Sequence, residues 1–281
     1  MLCVIIIRMF RRRKTSKHGL LFVCIGILVL VFLTGGTKLY VIRSSALAKK
    51  NAKSSVLVDN SKPVVPLPQN SVTAKVPLVE KSDGAIPPIV NGLAPVITTI
   101  KTNMPVVFLG IDDGAYKKDF ELKLMKANNI KASLFLANRF ISNDPFFFID
   151  FISAGSLIEN HTMNHKLLSQ LSYQEQKAEI CDAADLFLKE FGRRPVLMRP
   201  PGGNYNVDTQ RAAADCGMKA VVLWIAKANG GSMQYQVGHS LRPGDIVLMH
   251  FRPEFQADMQ AFLDAEHAAG LHTVLLEDWI K

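Results

Sequence analysis

Acidic residues are nearly missing from the leading part of this 281-residue chain. Ahead of residue 105 only Asp59, Glu80 and Asp83 stand against 15 Lys and Arg, a net charge of +12. From residue 105 onward the balance is 18 basic to 21 acidic, a net of −3. The overall +9 therefore belongs to the leading segment, whose natural partners are anionic lipid headgroups and anionic wall polymers. The second part has no basic stripe with interleaved aromatics, which excludes nucleic acid as its ligand. Nothing in the sequence implies an obligatory protein partner.

One stretch has no charge at all. Gly19 to Thr37, GLLFVCIGILVLVFLTGGT, is nineteen residues long, enough to cross a bilayer as a helix. Arg8, Arg11, Arg12, Arg13, Lys14 and Lys17 precede it and hold residues 1–18 on the cytoplasmic side. The run Leu2 to Ile7 is too short to span. A cleaved signal peptide competes with a signal anchor, but Ser45-Ala46-Leu47-Ala48 lies far past the apolar run, so the anchor is the preferred reading and secretion after cleavage the alternative. Cys24 lacks the small-residue context of a lipoprotein site and reads as an apolar filler.

Residues 38–104 lack any helical or strand period. Pro63, Pro66, Pro68, Pro77, Pro87, Pro88 and Pro95 recur among Ser, Asn, Lys and Val, the composition of an extended, disordered extracytoplasmic linker. The segment is expected to hold residues 105–281 off the membrane.

Those last residues alternate short apolar runs with helical patterns. Strands are expected at Val106 to Ile111, Ala132 to Leu136, Leu157 to Glu159, Val196 to Arg199, Ala220 to Trp224, Ile246 to Met249 and Thr273 to Leu276. Helices are expected at Lys118 to Asn128, Pro145 to Ser153, Tyr173 to Phe191, Val207 to Cys216 and Glu254 to Ala269. The alternation gives an α/β domain with a mostly parallel sheet, open or curled into a barrel. Cys181 and Cys216 fall in two of the helices; a bridge and two free buried thiols both suit the pattern.

In either α/β architecture, binding residues collect beyond the carboxyl ends of the strands. Asp112 and Asp113 end the first strand, His161 and His165 follow the third, Arg199 ends the fourth and His250 ends the sixth. Adjacent carboxylates at a buried strand end need hydrogen bonds, a cation or a metal, and this set offers all three.

These residues carry a resemblance to the polysaccharide deacetylases of the NodB-homology type, carbohydrate esterase family 4. Gly110-Ile111-Asp112-Asp113-Gly114 is similar to the first family motif in its functional part, and His161-Thr162-Met163-Asn164-His165 matches the second fully. Arg199-Pro200-Pro201-Gly202-Gly203 matches the third, and Leu248-Met249-His250 the last, in the family's order across residues 105–281. The resemblance implies a distorted seven-stranded (β/α) barrel and a metal-dependent hydrolase that removes acetyl groups from a glycan. It further implies Asp113, His161 and His165 as ligands of one divalent ion, Zn²⁺ foremost and Co²⁺ or Mn²⁺ as substitutes. By the same resemblance Asp112 is the base, paired with Arg199, and His250 the acid that protonates the leaving amine. The backbone N–H of Gly202 is the implied oxyanion donor. Trp224 and Tyr205 are candidates for the substrate groove, with core packing the other reading for Trp224.

Two departures bear on function. Gly110 and Ile111 replace Thr and Phe, and Ala115 replaces a Pro, which changes packing and not ligands. The fourth motif is altered: Trp224 to Gly231 holds no carboxylate where the family has Asp-Trp, so His250 either lacks an orienting partner or takes Asp245 or another group brought by the fold. The expected activity is N-deacetylation of an envelope glycan, peptidoglycan before chitin. The other reading is a carbohydrate-binding or wall-structural protein on a deacetylase scaffold.

Overall fold

The computed structural model describes residues 84–280. The expected membrane span at 19–37 and most of the expected linker lie outside the described residues. No helix among the described residues is long and apolar enough to cross a membrane.

The chain runs through β1 (Val96–Ile97), β2 (Val106–Asp113), α1 (Asp119–Ala127), β3 (Ser133–Leu136), α2 (Asn138–Ile141), α3 (Ile149–Ser153), β4 (Leu157–Asn160) and α4 (Tyr173–Phe191). It continues through β5 (Leu197–Met198), α5 (Val207–Asp215), β6 (Ala220–Val222), β7 (Ala226–Ala228), β8 (Met233–Tyr235), β9 (Ile246–His250), α6 (Phe255–Ala268) and β10 (His272–Val274). The strands form one sheet in the order β1-β6-β5-β4-β3-β2-β9-β7-β8, with β10 beside the start of β2; every pairing is parallel except β7 with β8.

The central strand β2 shows why the sheet takes both its cores from one sequence. In a strand successive side chains face opposite ways. Val107, Leu109 and Ile111 join one buried cluster with Met125 of α1 and Phe255, Met259 and Phe262 of α6. Val106 and Phe108 face the other way and pack with Phe135, Leu197, Val222, Ile246 and Trp279, Phe108 meeting Trp279 edge to face at 5.5 Å. The second face continues through Gly110 to Asp112, so the apolar core on that side leads directly to a carboxylate.

The seven expected strands are all present, and the five helical segments fall within a residue or so of expectation. The seven-strand count is corrected to ten among the described residues. The additional strands, β1, β7 and β8, have two or three residues each, too few for an alternating pattern to register. The sheet is a curled half-barrel with free ends at β1 and β8, an open form of the expected distorted barrel. Leu276, assigned to the last strand, instead opens a 3₁₀ turn, Leu276–Trp279.

The linker boundary is also corrected. Residues 84–104 belong to the fold: Ile86, Ala94, Ile97 and Ile100 are buried, and β1 pairs with β6. The same segment reaches β9, Ile246 N–H donating to Thr98 O and Ile100 N–H to Gly244 O at 2.8 Å. Gly244 is required there, since a Cβ would lie 1.8 Å from Ile100 O, and its φ is +82°. Proline spacing hid this segment because its buried residues are too sparse for either period.

Helix α4 is bounded by local chemistry. Ser172 and Glu175 form a reciprocal capping box, and Gly192, at φ 74°, closes the far end by donating to Leu188 O. Its partner is α5, and Cys181 is bridged to Cys216 just past the end of α5, which decides between the bridged and free readings.

Candidate active site

Parallel pairing brings five strand ends to one place. Register sets Asp112 beside both Phe135 and His250, and Asn160 beside both Leu136 and Met198. Residues adjacent to these positions, Asp113, His161 and Arg199, therefore meet without any long loop.

Arg199 is fully buried. Its Nη1 donates to Asp112 Oδ1 at 2.6 Å, its Nε to Val222 O, and its guanidinium lies 4.2 Å above the Phe135 ring. A buried carboxylate is costly alone, and this bonded cation offsets that cost. Gly110 makes the room: a Cβ there would stand 2.5 Å from Nη2 and 2.6 Å from Nη1. The departure from Thr at this position is thus coupled to the placement of Arg199.

The side chains of Asp113, His161 and His165 converge. Asp113 Oδ1 lies 3.1 Å from His165 Nε2 and 3.5 Å from His161 Nε2, and one ligand atom from each residue falls within 4.8 Å of the others. His161 Nδ1 faces the Arg199 carbonyl at 2.7 Å, so it must donate, which leaves Nε2 with a lone pair directed at two carboxylates. Lone pairs facing anionic oxygens call for a proton or a cation between them, and one carboxylate with two imidazoles fits a divalent ion. Burial works against charge on His161, but Asp112 and Asp113 outweigh it and hold its pKa above the ordinary value. Burial likewise opposes ionised Asp113, yet the two facing imidazoles keep its carboxyl well below the usual range.

Three of the five non-glycine residues with positive φ among the described residues are here: Asp113 at 75°, Thr162 at 72° and His165 at 55°. Such conformations are costly and tend to persist at functional sites.

His250 is in register with Asp112, but its Nδ1 is buried and has no hydrogen-bond partner. Asp245 is not the missing orienter. It immediately precedes the opposite end of β9, about 16 Å away by strand rise, and accepts from the Arg242 backbone and guanidinium. Asp258, a buried carboxylate in the first turn of α6, is taken by Arg252 and Gly231 N–H. Burial pushes the His250 pKa down, and Asp112 and Asp113 only partly oppose this.

Gly202 is exposed at φ 63°, while the Gly203 and Asn204 amides donate to Pro200 O and Pro201 O. Trp224 is half-buried, its ring tip 3.1 Å from where a Cβ of Gly203 would stand and its centroid 5.9 Å from Arg199. It therefore backs the Arg199 loop. Tyr205 is exposed. Sequence reasoning missed two residues that brace the histidine turn, Asn160 and Glu179, both buried. The readable signal for Glu179 was a glutamate on the apolar stripe of α4, one residue before buried Ile180.

The strand ends of an α/β half-barrel thus gather paired carboxylates, two imidazoles and a buried arginine, a set fitted to hold a divalent ion beside a general base. Residues 99–221 match the family model for polysaccharide deacetylase. An uncharacterised protein of Streptomyces coelicolor is 35% identical over 194 residues, covering 67% of this chain and 78% of that protein. The peptidoglycan-N-acetylglucosamine deacetylase of Bacillus cereus is 30% identical over 162 residues, covering 54% and 75%. A CE4-family pseudoenzyme from Bacillus anthracis shares the fold, with TM-score 0.58 and 19% identity, covering 67% of this chain and 70% of that one. The chain belongs to the polysaccharide deacetylase family.

Proposed function

We propose that the protein is a divalent-metal-dependent hydrolase that removes N-acetyl groups from a cell-envelope polysaccharide, with peptidoglycan N-acetylglucosamine as the leading substrate. The observation that carries this reading is the convergence of Asp113, His161 and His165 beside the buried Asp112–Arg199 pair. The Bacillus cereus relative supports the choice of glycan. Residues 19–37 would anchor the chain in the membrane with this domain outside.

Asp113, His161 and His165 would hold the ion, Zn²⁺ foremost, which when bound supplies Lewis acidity to the acyl oxygen and the attacking water. Asp112, oriented by Arg199, takes a proton from the water as it adds to the acyl carbon. The exposed N–H of Gly202 donates to the developing oxyanion. His250 gives a proton to the amine nitrogen as the C–N bond breaks, and its lowered pKa leaves less of the donating form at neutral pH.

A second reading is favoured by one observation, the unpartnered Nδ1 of His250: a glycan-binding protein whose chemistry has faded. Acetate release from N-acetylated glycan and from an aryl acetate separates the two, using wild type, Asp112→Asn and His250→Ala, each loaded with metal. The enzyme reading expects loss of both activities in Asp112→Asn. It expects a larger loss on the amide than on the ester in His250→Ala, because an activated alcohol leaves with less help. Wild type that binds glycan but releases no acetate under any divalent ion makes the second reading the better one. The topology is tested with a reporter fused after Lys281: protease added to intact cells should digest it, and protection until lysis would reverse the orientation.

A further inference from the structure

The turn from Asn160 to Lys166 carries two of the three proposed ligands in a strained backbone shape, with His165 N–H donating to Thr162 Oγ1 at 3.0 Å inside it. Thr162 is β-branched with φ 72°, and His165 has φ 55°. A turn of this kind persists only where its surroundings over-determine it. Here α2 meets one side, Asn138 and Arg139 N–H donating to the Thr162 and Met163 carbonyls, and two consecutive residues of α4 bind the part nearest His165. Glu179, only 4% exposed, accepts from the Asn164 backbone N–H at 2.7 Å through Oε2 and from Asn164 Nδ2 at 2.9 Å through Oε1. Its main-chain carbonyl accepts from Met163 N–H at 2.9 Å. The Ile180 carbonyl accepts from Asn160 Nδ2, and Asn160 Oδ1 accepts from Thr162 N–H, both at 2.8 Å. Lys166, 3.3 Å from Glu179, supplies the countercharge. The next residue, Cys181, is covalently tied to Cys216 beyond α5.

Every one of these contacts falls on the turn between the imidazoles or on the helical turn that faces it. The carboxylate makes charge-assisted bonds, which are shorter and stronger than neutral ones, and it makes them to the residue adjacent to His165. If Asn164 is released, Thr162 and His165 can relax toward ordinary backbone conformations, and His165 Nε2 then leaves its place 3.1 Å from Asp113.

We propose that Glu179 is a positioning residue of the metal centre, holding His161 and His165 where both can ligate one ion, and that the Cys181–Cys216 bridge anchors the helical turn from which it acts. The inference rests on reading Asp113, His161 and His165 as the metal ligands. It assigns to α4, which contributes no ligand, control over metal affinity.

The test is the Zn²⁺ affinity of the purified full chain, measured by competition with a chromophoric chelator, together with the absorption spectrum of the Co²⁺ form. Glu179→Ala is expected to weaken Zn²⁺ binding about 10- to 100-fold, the usual cost of losing an outer-shell partner, and to alter the Co²⁺ bands. Glu179→Gln can keep both bonds once the Asn164 amide flips, and is expected to retain most of the affinity. The Cys181→Ser/Cys216→Ser pair, with Glu179 in place, is expected to weaken binding by a smaller factor. Wild type that binds no divalent ion overturns the metal-site reading itself. Glu179→Ala with wild-type affinity and spectrum, even at a lower melting temperature, shows a purely structural role and overturns this inference. The cysteine pair at wild-type affinity removes the anchoring part. Should Glu179→Ala fail to fold, Asn164→Ala cuts the same contact from the turn side and carries the same expectation and the same refutation.

Discussion

Gly110 lies directly against Arg199, close enough that a single added methyl would stand 2.5 Å from the guanidinium. The arginine cannot give way easily, because Asp112, the Val222 carbonyl and the Phe135 ring hold it from three directions. Gly110→Ala is therefore expected to cost about 1–3 kcal/mol, as over-packing of a filled core does. Restoring the family's threonine at this position should do the same or worse. Urea unfolding of both variants, with acetate release measured in parallel, checks this; unchanged stability would mean that Arg199 has another place to sit.

The Asp112–Arg199 pair predicts a strong coupling. Arg199→Met leaves a buried carboxylate without its cation and is expected to cost about 3–5 kcal/mol, whereas adding Asp112→Asn should recover a large part of that loss. Neither variant should hydrolyse amide. A double-mutant cycle on unfolding free energies gives the coupling directly, and additive single effects would contradict the pairing.

Stability should fall with rising pH through Glu277. Burial, with a contribution from nearby Glu159, pushes its carboxyl from 4.5 up to about 8, and Ser133 Oγ donates to one of its oxygens. The folded state therefore holds a proton that the unfolded chain has released. The contribution is full below about 4.5, declines as pH rises, and is gone above about 8. Thermal unfolding at pH 6 and pH 9 should show this loss in wild type and a flatter profile in Glu277→Gln. An equal slope in both would place the titration elsewhere.

Ile100 tests the corrected domain boundary. It is 2% exposed and belongs to the cluster containing Phe108 and Trp279. Ile100→Ala is expected to lose about 2–5 kcal/mol, as buried large-to-small changes do. A change near zero would return residues 84–104 to the linker.

The contrast between Ile100 and Val107 shows what the sequence makes legible. Val107 sits in a continuous apolar run bounded by a polar turn, so strand, burial and carboxyl end could all be read together. Ile100 is one apolar residue among Thr, Lys, Asn and Pro, and its burial depends on Gly244, far away in the chain. The candidate site divides in the same way. Asp112, Asp113, His161, His165, Arg199 and His250 were visible because each ends or follows a strand and each has a chemistry that is costly to bury idle. Glu179 shows in the sequence only as a glutamate on the apolar stripe of α4; what it braces comes from a helix packing against a turn, a contact that no spacing encodes. Nor could spacing say whether a carboxylate reaches His250, since Asp245 and Asp258 are both near in sequence and both engaged with arginines.

The bond from Ile86 N–H to Trp279 O, 3.1 Å long, makes neighbours of residues close to the two ends of the described fold. Ile86 and Ile280 line one surface pocket with Lys219, just ahead of β6, at the pole away from the strand ends that carry Asp112 and His250. Polypeptide entering at residue 84 and polypeptide leaving after residue 280 therefore depart from the back of the domain. A short loop joining these ends would allow new termini to be opened elsewhere on the surface. Such a permuted chain would present the same mouth in a different orientation to whatever surface it is attached to.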